Sequence, residues 1–562
     1  MKKILFIILL ATALCVACNK DNVITADLPV ITLEDDSNVY TLKYGESLTL
    51  TPSVKNADRY TWLLDDEVVA TTLSYTFRAT EVGTFYLTFR AENESGKAEQ
   101  QMRIEVMELL PPVIGFALDG EGVMILAANR EYTLAPDILN AEEATFEWKI
   151  NGQSVCSQAT YTATFTAGEY DLSLTVTNAD GTATENVTLQ VVDRLAGRVY
   201  IPTERNVPLG RTLYLAPTLC NFSAPTYAWA VNGVAQSSDE IFAFSPSAEG
   251  NYNVTLTLTD ADGYTLSTDI AVTCCAAEGT FKRPVTAESK ATWSKVYEYM
   301  PAPGQFINED KSGFDGVTTA AQALAYADKR LTEGKYLSLG GWGGYVVVGF
   351  DHSVVSGDDY DFSITGNMYE GSSEAGIVWV MQDTNGNALP DDEWYELRGS
   401  EWGSANHSQH YAVTYYRPAA GGMCVQWADN RDAQGRITRN ATHTHDYYYP
   451  AWIKAESYTL SGTCLKARNY DKSGNGSLWV QPSYGWGYAD NFSAQDYLAD
   501  DKTLNVFDIS NAMDAQGAAA ELKYVDFVKV QGACNTKSGW LGENSTEVLD
   551  FIDYGLKLKR DE

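Results

Sequence analysis

Histidine, basic side chains and any regular spacing of cysteine are what this sequence is short of, and each shortage excludes something. Five histidines in 562 residues leave little material for imidazole acid–base chemistry or a His-rich zinc centre. Forty Lys and Arg stand against 74 Asp and Glu, with no basic cluster, so electrostatic repulsion argues against nucleic acid or an anionic lipid surface as partner. The nine cysteines are irregularly placed and contain no C-x-x-C knuckle. Beyond Cys15 and Cys18 near the N-terminus, the rest (Cys156, Cys220, Cys274, Cys275, Cys424, Cys464 and Cys534) read mostly as small buried apolar residues. No redox cofactor is expected. The G-x-S-x-G elbow, H-E-x-x-H, the phosphate-binding loop and the dinucleotide fingerprint are all absent, and no enzymatic activity is expected.

What is present begins at the N-terminus. "MKK" followed by "ILFIILLATAL" is a charged and then apolar run too short to span a bilayer, the pattern of an export signal over residues 1–17. "LCVAC" resembles the lipobox of bacterial lipoproteins, which implies acylation of Cys18 and a durable membrane anchor; an ordinary secretory signal is the alternative. "NKDN" is similar to the surface-export tether of Bacteroidetes lipoproteins over residues 18–27. The resemblance implies an outer-membrane, lipid-anchored protein facing the cell exterior.

Three segments then repeat at roughly eighty residues, a spacing that suits a seven-strand sandwich: "YTWLLDDEVVA" with "VGTFYLTFRAENESG", "FEWKINGQSVC" with "AGEYDLSLTVTNADG", and "YAWAVNGVAQS" with "EGNYNVTLTLTDADG". In each, one Trp (Trp62, Trp148, Trp229) precedes a Gly-x-aromatic strand start (Phe85, Tyr170, Tyr252) by 22 or 23 residues. "YDLSLTVTN" alternates apolar and hydroxyl side chains with period two, as a half-buried strand does. These motifs resemble PKD-like, immunoglobulin-type β-sandwiches, expected over residues 28–108, 109–194 and 195–275. The resemblance implies a spacer, and the single Trp of each repeat is accounted for as core.

After a linker at residues 276–283 the composition changes: ten of thirteen Trp and all five His lie beyond residue 278. "TTAAQALAYADKRLTEG" reads as one short helix, with Ala320, Leu324, Ala327 and Leu331 on a face and Gly334 as its stop. The remainder alternates strands with Gly, Asn and Asp turns. The expected fold is therefore all-β and multidomain, three tandem PKD-like/Ig-like β-sandwiches followed by a larger jelly-roll-like β-sandwich over residues 284–562 with one short helix. "YDFSITGNMYEGSSEAGIVWVMQDTNGNALPDDEWYELRGSE", "YYYPAWI", "YGWGYADN" and "VDFVKVQGACNTKSGWLGENSTEV" resemble the C-terminal domain of Bacteroidetes cell-surface lipoproteins with PKD-like repeats. Proteins of that kind accompany TonB-dependent outer-membrane transporters, particularly those for cobalamin. The resemblance implies capture of a corrinoid; a glycan for a polysaccharide-uptake system and a purely structural or adhesive role are the alternatives.

Three sets of side chains are candidates for chemistry. "DTNGNALPDDEW" offers Asp383, Asn385, Asn387, Asp391 and Asp392 as oxygen ligands for a structural Ca²⁺, in a spacing similar to the compact calcium loops of thrombospondin-type repeats. An EF-hand is excluded by Ala388 and Trp394 at its sixth and twelfth positions, and the alternative is an Asx-rich hairpin. Trp342, Trp402, Tyr448, Trp452, Trp486 and Tyr488, in loops rich in Gly, are candidate rings for a flat ligand. Glu370 or Glu374 facing Asp392 or Glu396 would be a glycosidase-type pair. His443 and His445, with His407 and His410, would be a transition-metal set, or simply hydrogen-bonded structural histidines.

Overall fold

The computed structural model describes residues 27–561 apart from 36, 121, 497–500 and 502. The export signal and Cys18 lie outside the described residues. The chain is 48% strand and 5% helix, and it divides between Pro111 and Pro112 into two compact units.

The first unit is one sandwich. Its five-stranded sheet runs Val39–Lys43, Gly96–Met107, Gly83–Asn93, Arg59–Leu64, Glu67–Ala70, and two short ladders complete the other face. The same strand order recurs twice in the second unit, starting at Val123–Ala127 and at Glu204–Pro208. The repeated Trp is the reason. Trp62, Trp148 and Trp229 are at most 1% exposed, and each indole N–H donates to the carbonyl ten residues later, Thr72, Gln158 or Asp239, at 2.8–2.9 Å. A buried indole is tolerated because its one donor is satisfied. Gly83, Gly168 and Gly250 open the long central strand at φ of 150°, 154° and 137°, a backbone region that a Cβ disfavours.

The C-terminal domain is a sandwich of a six-stranded and a four-stranded antiparallel sheet. The larger runs Lys295–Met300, Tyr345–Val355, Tyr524–Gly532, Gly376–Met381, Trp394–Leu397, Ala512–Met513; the smaller runs Leu337–Ser338, Glu547–Asp553, Phe362–Gly366, Leu504–Phe507. Val346, Val348, Val378, Val380, Val528 and Val530 point inward against Phe362, Ile364, Val548 and Phe551. The helix is Ala320–Thr332, started by a Thr319/Gln322 capping box and followed by Gly334 at φ 61°, which suits a helix stop. Its buried face is Ala323, Tyr326, Ala327 and Leu331, so Ala320 is a correction to the expected stripe. A second helix, Tyr554–Asp561, ends the described chain.

A further four-stranded sheet, Gln434–Ile437, Val425–Asp429, His407–Tyr416, Ser457–Leu465, carries the second and third repeats. Arg436 pairs with Asp137 at 3.2 Å and Arg130 with Asp432 at 3.0 Å. Arg211 meets Glu278 at 2.7 Å and also donates to the carbonyl of Ala520, and buried Arg205 pairs with Glu393. These two repeats are thus docked against the C-terminal domain and share a cavity of about 420 Å³ with it. This corrects the expectation of a free spacer: ion pairs join the two repeats to the linker and the C-terminal domain, with the arginine on the repeat in three of them and on the C-terminal domain in the fourth.

One buried group ties pH to stability. His352 is fully buried, with Nδ1 2.7 Å from Asp351 and Nε2 2.8 Å from Asp553. Burial works against its charge, but the two carboxylates outweigh burial and raise the pKa above 6.5. A raised folded-state pKa gives stability that is complete below pH 6.5 and lost as pH rises through the folded value. The neighbouring Asp361, pushed by burial to about 6, slopes stability the same way at lower pH. The melting temperature is therefore expected to fall between mildly acidic and mildly alkaline pH, and His352→Gln should flatten that slope above pH 6.5, leaving the part that Asp392, Asp496 and Glu543, each raised by burial to about 7, contribute there. An unchanged slope in the variant would show that the His352 charge is not responsible.

Candidate functional site: a ring-lined sheet face

Because a strand alternates its side chains, the residues between the inward valines form the opposite face of the six-stranded sheet. Register places Val347 and Trp379 on either side of Lys529, Glu396 opposite Trp379, and Trp394 opposite Met381. A bulge between Val296 and Glu298 lets Tyr297 join this face, where its ring meets Phe527 edge-on at 5.1 Å. The result is a row of half-buried rings, Tyr297, Tyr345, Trp379 and Trp394, the last three around the Lys529 ammonium and Tyr297 under that of Lys295 at 4.5 Å.

Lys529 Nζ lies 4.7 Å from the Trp379 ring, 4.8 Å from Trp394 and 5.9 Å from Tyr345. Ring quadrupoles attract the cation by about 0.5–2 kcal/mol each, depending on desolvation. Among the described residues no hydrogen bond or ion pair reaches this ammonium. Burial lowers its pKa to about 8 against the opposing pull of Glu298 and Glu396, so it remains mostly charged at neutral pH. The buried indole N–H of Trp379 also has no partner; an unmet buried donor costs about 1–3 kcal/mol. Glu298 accepts from the Tyr345 hydroxyl at 3.1 Å. Glu396 is buried, 2.7 Å from His407 Nε2, and accepts from Thr463 at 2.6 Å. Trp402 lies against His407, ring centroids 4.7 Å apart. This face can hold a ring-bearing ligand by stacking while Lys529 donates to its acceptor groups.

The six rings expected from the sequence are sorted by the fold. Trp342, Tyr448, Trp452 and Tyr488 are 1%, 3%, 8% and 1% exposed, and these four are corrected from ligand to core. Trp342 packs on Tyr411 at 4.6 Å, Trp452 stacks with Phe314 at 6.1 Å, Tyr448 donates to the His443 carbonyl, and Tyr488 accepts from the Glu401 N–H. Gly399 sits so close to Tyr488 that a Cβ there would lie 2.4 Å from the ring, so this Gly serves packing rather than ligand access. Trp402 borders the ring-lined face, and Trp486 lines a separate pocket of about 250 Å³ with Tyr360, Arg398 and Asp508. Trp379, Trp394 and Lys529 were missed; the signal was a lysine within the apolar run "VDFVKVQ".

The acidic loop turns on itself. Asp383 accepts from the Gly386 and Ala388 N–H groups, Asp392 accepts from both N–H and hydroxyl of Thr384, and Asp391 is held by the Asn385 and Asn387 amides at 3.1 and 2.8 Å. Asp383, Asp391 and Asp392 are not gathered into one coordination sphere; among the described residues the group of three ligating side chains that is gathered lies elsewhere. The expected calcium cage is thus not assembled here, because Asx side chains cap their own backbone. The loop instead supplies Glu393 to Arg205. Burial and the neighbouring Asp391 and Asp383 charges push Asp392 up to about 7. The glycosidase-type pairing is not formed either: Glu396 is engaged by His407 and Thr463, Asp392 by Thr384, and Glu374 groups with Asp490 and Glu547. His443 bonds Glu309, His445 the Ile307 carbonyl and His410 Thr218, so the histidines do not converge on a metal. The seven described cysteines are free thiols.

Residues 28–93 and 111–178 match the PKD-like domain family. These two sandwiches are PKD-like domains. A 216-residue stretch is 25% identical to human polycystin-1, covering 35% of this chain and 5% of that protein, so the chain spans a small fraction of that curated relative. Among solved structures, the titin I-band fragment I67–I69 aligns at 16% identity and TM-score 0.22 over 44% of this chain and 99% of the fragment. The three N-terminal domains of the bacteriophage RB49 outer capsid protein Hoc align at 14% identity and TM-score 0.21, over 44% and 100%. No helix among the described residues is long and apolar enough to cross a membrane.

Proposed function

We propose that this chain is a non-enzymatic surface binding protein whose C-terminal domain captures a small ring-bearing ligand on the outer face of its six-stranded sheet. The observation that carries this is the unpaired Lys529 ammonium among Tyr345, Trp379 and Trp394, a cation with unused donors beside a buried indole N–H that also lacks a partner. Such groups are stabilised when a ligand brings acceptors. The PKD-like repeats are consistent with a structural or adhesive surface protein, and here two of them brace the binding domain. The lipobox resemblance supports lipid anchoring through Cys18, and the tether resemblance the outer membrane. The resemblance of the C-terminal domain supports delivery to a TonB-dependent transporter and favours a corrinoid, whose flat macrocycle and peripheral amides suit rings flanked by a donor. A glycan is the second reading, favoured by the exposed carboxylate of Glu298 beside the rings, which would accept from hydroxyl groups.

Calorimetry on residues 112–562 with cyanocobalamin and with a glycan panel tests this. Trp379→Ala and Trp394→Ala are each expected to weaken binding by about 1–3 kcal/mol, the usual loss for a stacked anchor ring, with melting temperatures close to wild type. Undiminished affinity in both variants would remove this face from the function, and no binding of either ligand class would leave the adhesive role.

A further inference from the structure

A second site lies at the other end of the strand Gly376–Met381, where Glu374, Asp490 and Glu547 bring ligating oxygens within 4.8 Å of one another. Asp490 is 1% and Glu547 5% exposed, while Glu374 keeps a partial opening to solvent. Among the described residues no Lys or Arg pairs with any of the three. The hydrogen bonds are placed to leave oxygens over. Glu374 Oε1 accepts from Gln481 at 2.8 Å, from Asn544 at 3.3 Å and from the Ser545 N–H at 3.3 Å. Asp490 is oriented by the N–H groups of Asn367 and Glu547 at 2.8 and 3.0 Å. Glu547 Oε1 is buried and, among the described residues, accepts no hydrogen bond.

An unpartnered carboxylate oxygen, 95% of its residue buried and held within reach of two other carboxyl groups, is expensive unless something positive neutralises the set. Burial raises all three pKa values, and repulsion from the neighbouring carboxylates adds to it at Asp490 and Glu547. Two species relieve them: a shared proton, or a cation. A proton shared between Glu374 and Glu547 would meet those two carboxyl groups and leave Asp490 charged beside them. A hard divalent ion draws on all three at once. Asp490 is held close in the left-handed region, φ 51°, against Gly366, where a Cβ would fall 2.8 Å from its Oδ1.

We propose that Glu374, Asp490 and Glu547 form a binding site for one hard divalent cation, Ca²⁺ or Mn²⁺, distinct from the acidic loop and from the ring-lined face. The ion would tie the strand Glu547–Asp553 and the loop bearing Asp490 to the start of the strand Gly376–Met381, so its role is to hold the two sheets together at this end.

The full chain, stripped with EDTA and dialysed, is titrated with CaCl₂ and MnCl₂ by calorimetry, and a crystal soaked in MnCl₂ is examined for anomalous scattering. The expected result is one equivalent bound, an anomalous peak between the three carboxyl groups, and a melting temperature raised by the ion because only the folded state binds it. Glu547→Gln, which keeps the shape of the side chain, should lower affinity at least tenfold, whereas Asp383→Ala with Asp391→Ala should leave it unchanged. A peak elsewhere or no bound equivalent would overturn the site. So would affinity lost in the loop variant and kept in Glu547→Gln. If Glu547→Gln fails to fold, the wild-type anomalous map decides alone.

Discussion

Arg205→Ala is expected to destabilise residues 112–562 by about 3–5 kcal/mol, the range for removing one partner of a buried pair and leaving the other charge unmet. The Arg205 and Glu393 side chains are only 10% and 14% exposed, and burial lowers the guanidinium to about 10, still charged at neutral pH. Asn206 adds a hydrogen bond to the Asp391 carbonyl at 3.3 Å, so the third repeat and the acidic loop are joined at two adjacent residues. Urea unfolding of the wild type, Arg205→Ala, Glu393→Ala and the double variant gives the coupling energy. The double variant should lose much less than the sum of the singles, since neither charge is then stranded. Additive losses, or a single-variant loss below about 1 kcal/mol, the level of an exposed pair, would mean that the third repeat is not braced by this contact.

Trp342→Ala is expected to cost about 3–5 kcal/mol, as deletion of a large buried ring does, and to affect ligand binding only through the loss of folded protein. Trp342 is 1% exposed, its indole N–H donates to the Thr463 carbonyl at 3.3 Å, and its own carbonyl accepts from the Tyr415 hydroxyl at 2.7 Å. Removing the ring opens a cavity and takes the indole donor away from the Thr463 carbonyl. Thermal melts and calorimetry on the same samples separate the two kinds of ring: Trp342→Ala should melt early yet bind normally at low temperature, and Trp379→Ala should melt normally yet bind weakly. A Trp342→Ala protein with wild-type stability and lost affinity would return that ring to the ligand face.

The repeats were legible because their signals are local. A Trp spaced 22 or 23 residues from a Gly-x-aromatic start is a pattern within one sandwich, and the structure repeats one strand order three times. The helix was legible through Thr319, its alanines and Gly334, though its buried face is rotated because Tyr326 stacks on Phe314 at 3.8 Å. The aromatic loops misled: Gly beside a ring signals close approach, and at Tyr488 what approaches is Gly399 of the same domain. Nor was the acidic loop decidable, since Asx caps and calcium ligands use the same residue types at the same spacing and differ only in where their oxygens point.

By itself, then, the sequence determined the all-β class, the repeated PKD-like sandwiches and the acidic balance of charge, all of which follow from composition and from periodicities of a few residues. Which rings are buried, that two repeats brace the C-terminal domain, that Lys529 stands among Trp379, Trp394 and Tyr345, and that Glu374 meets Asp490 and Glu547 were decided by tertiary structure alone. Each depends on the pairing of strands more than a hundred residues apart, such as Gly376–Met381 with Tyr524–Gly532. A register shift of one residue would turn every one of those side chains to the opposite face, and no local pattern specifies which partner strand, or which register, the packed core selects.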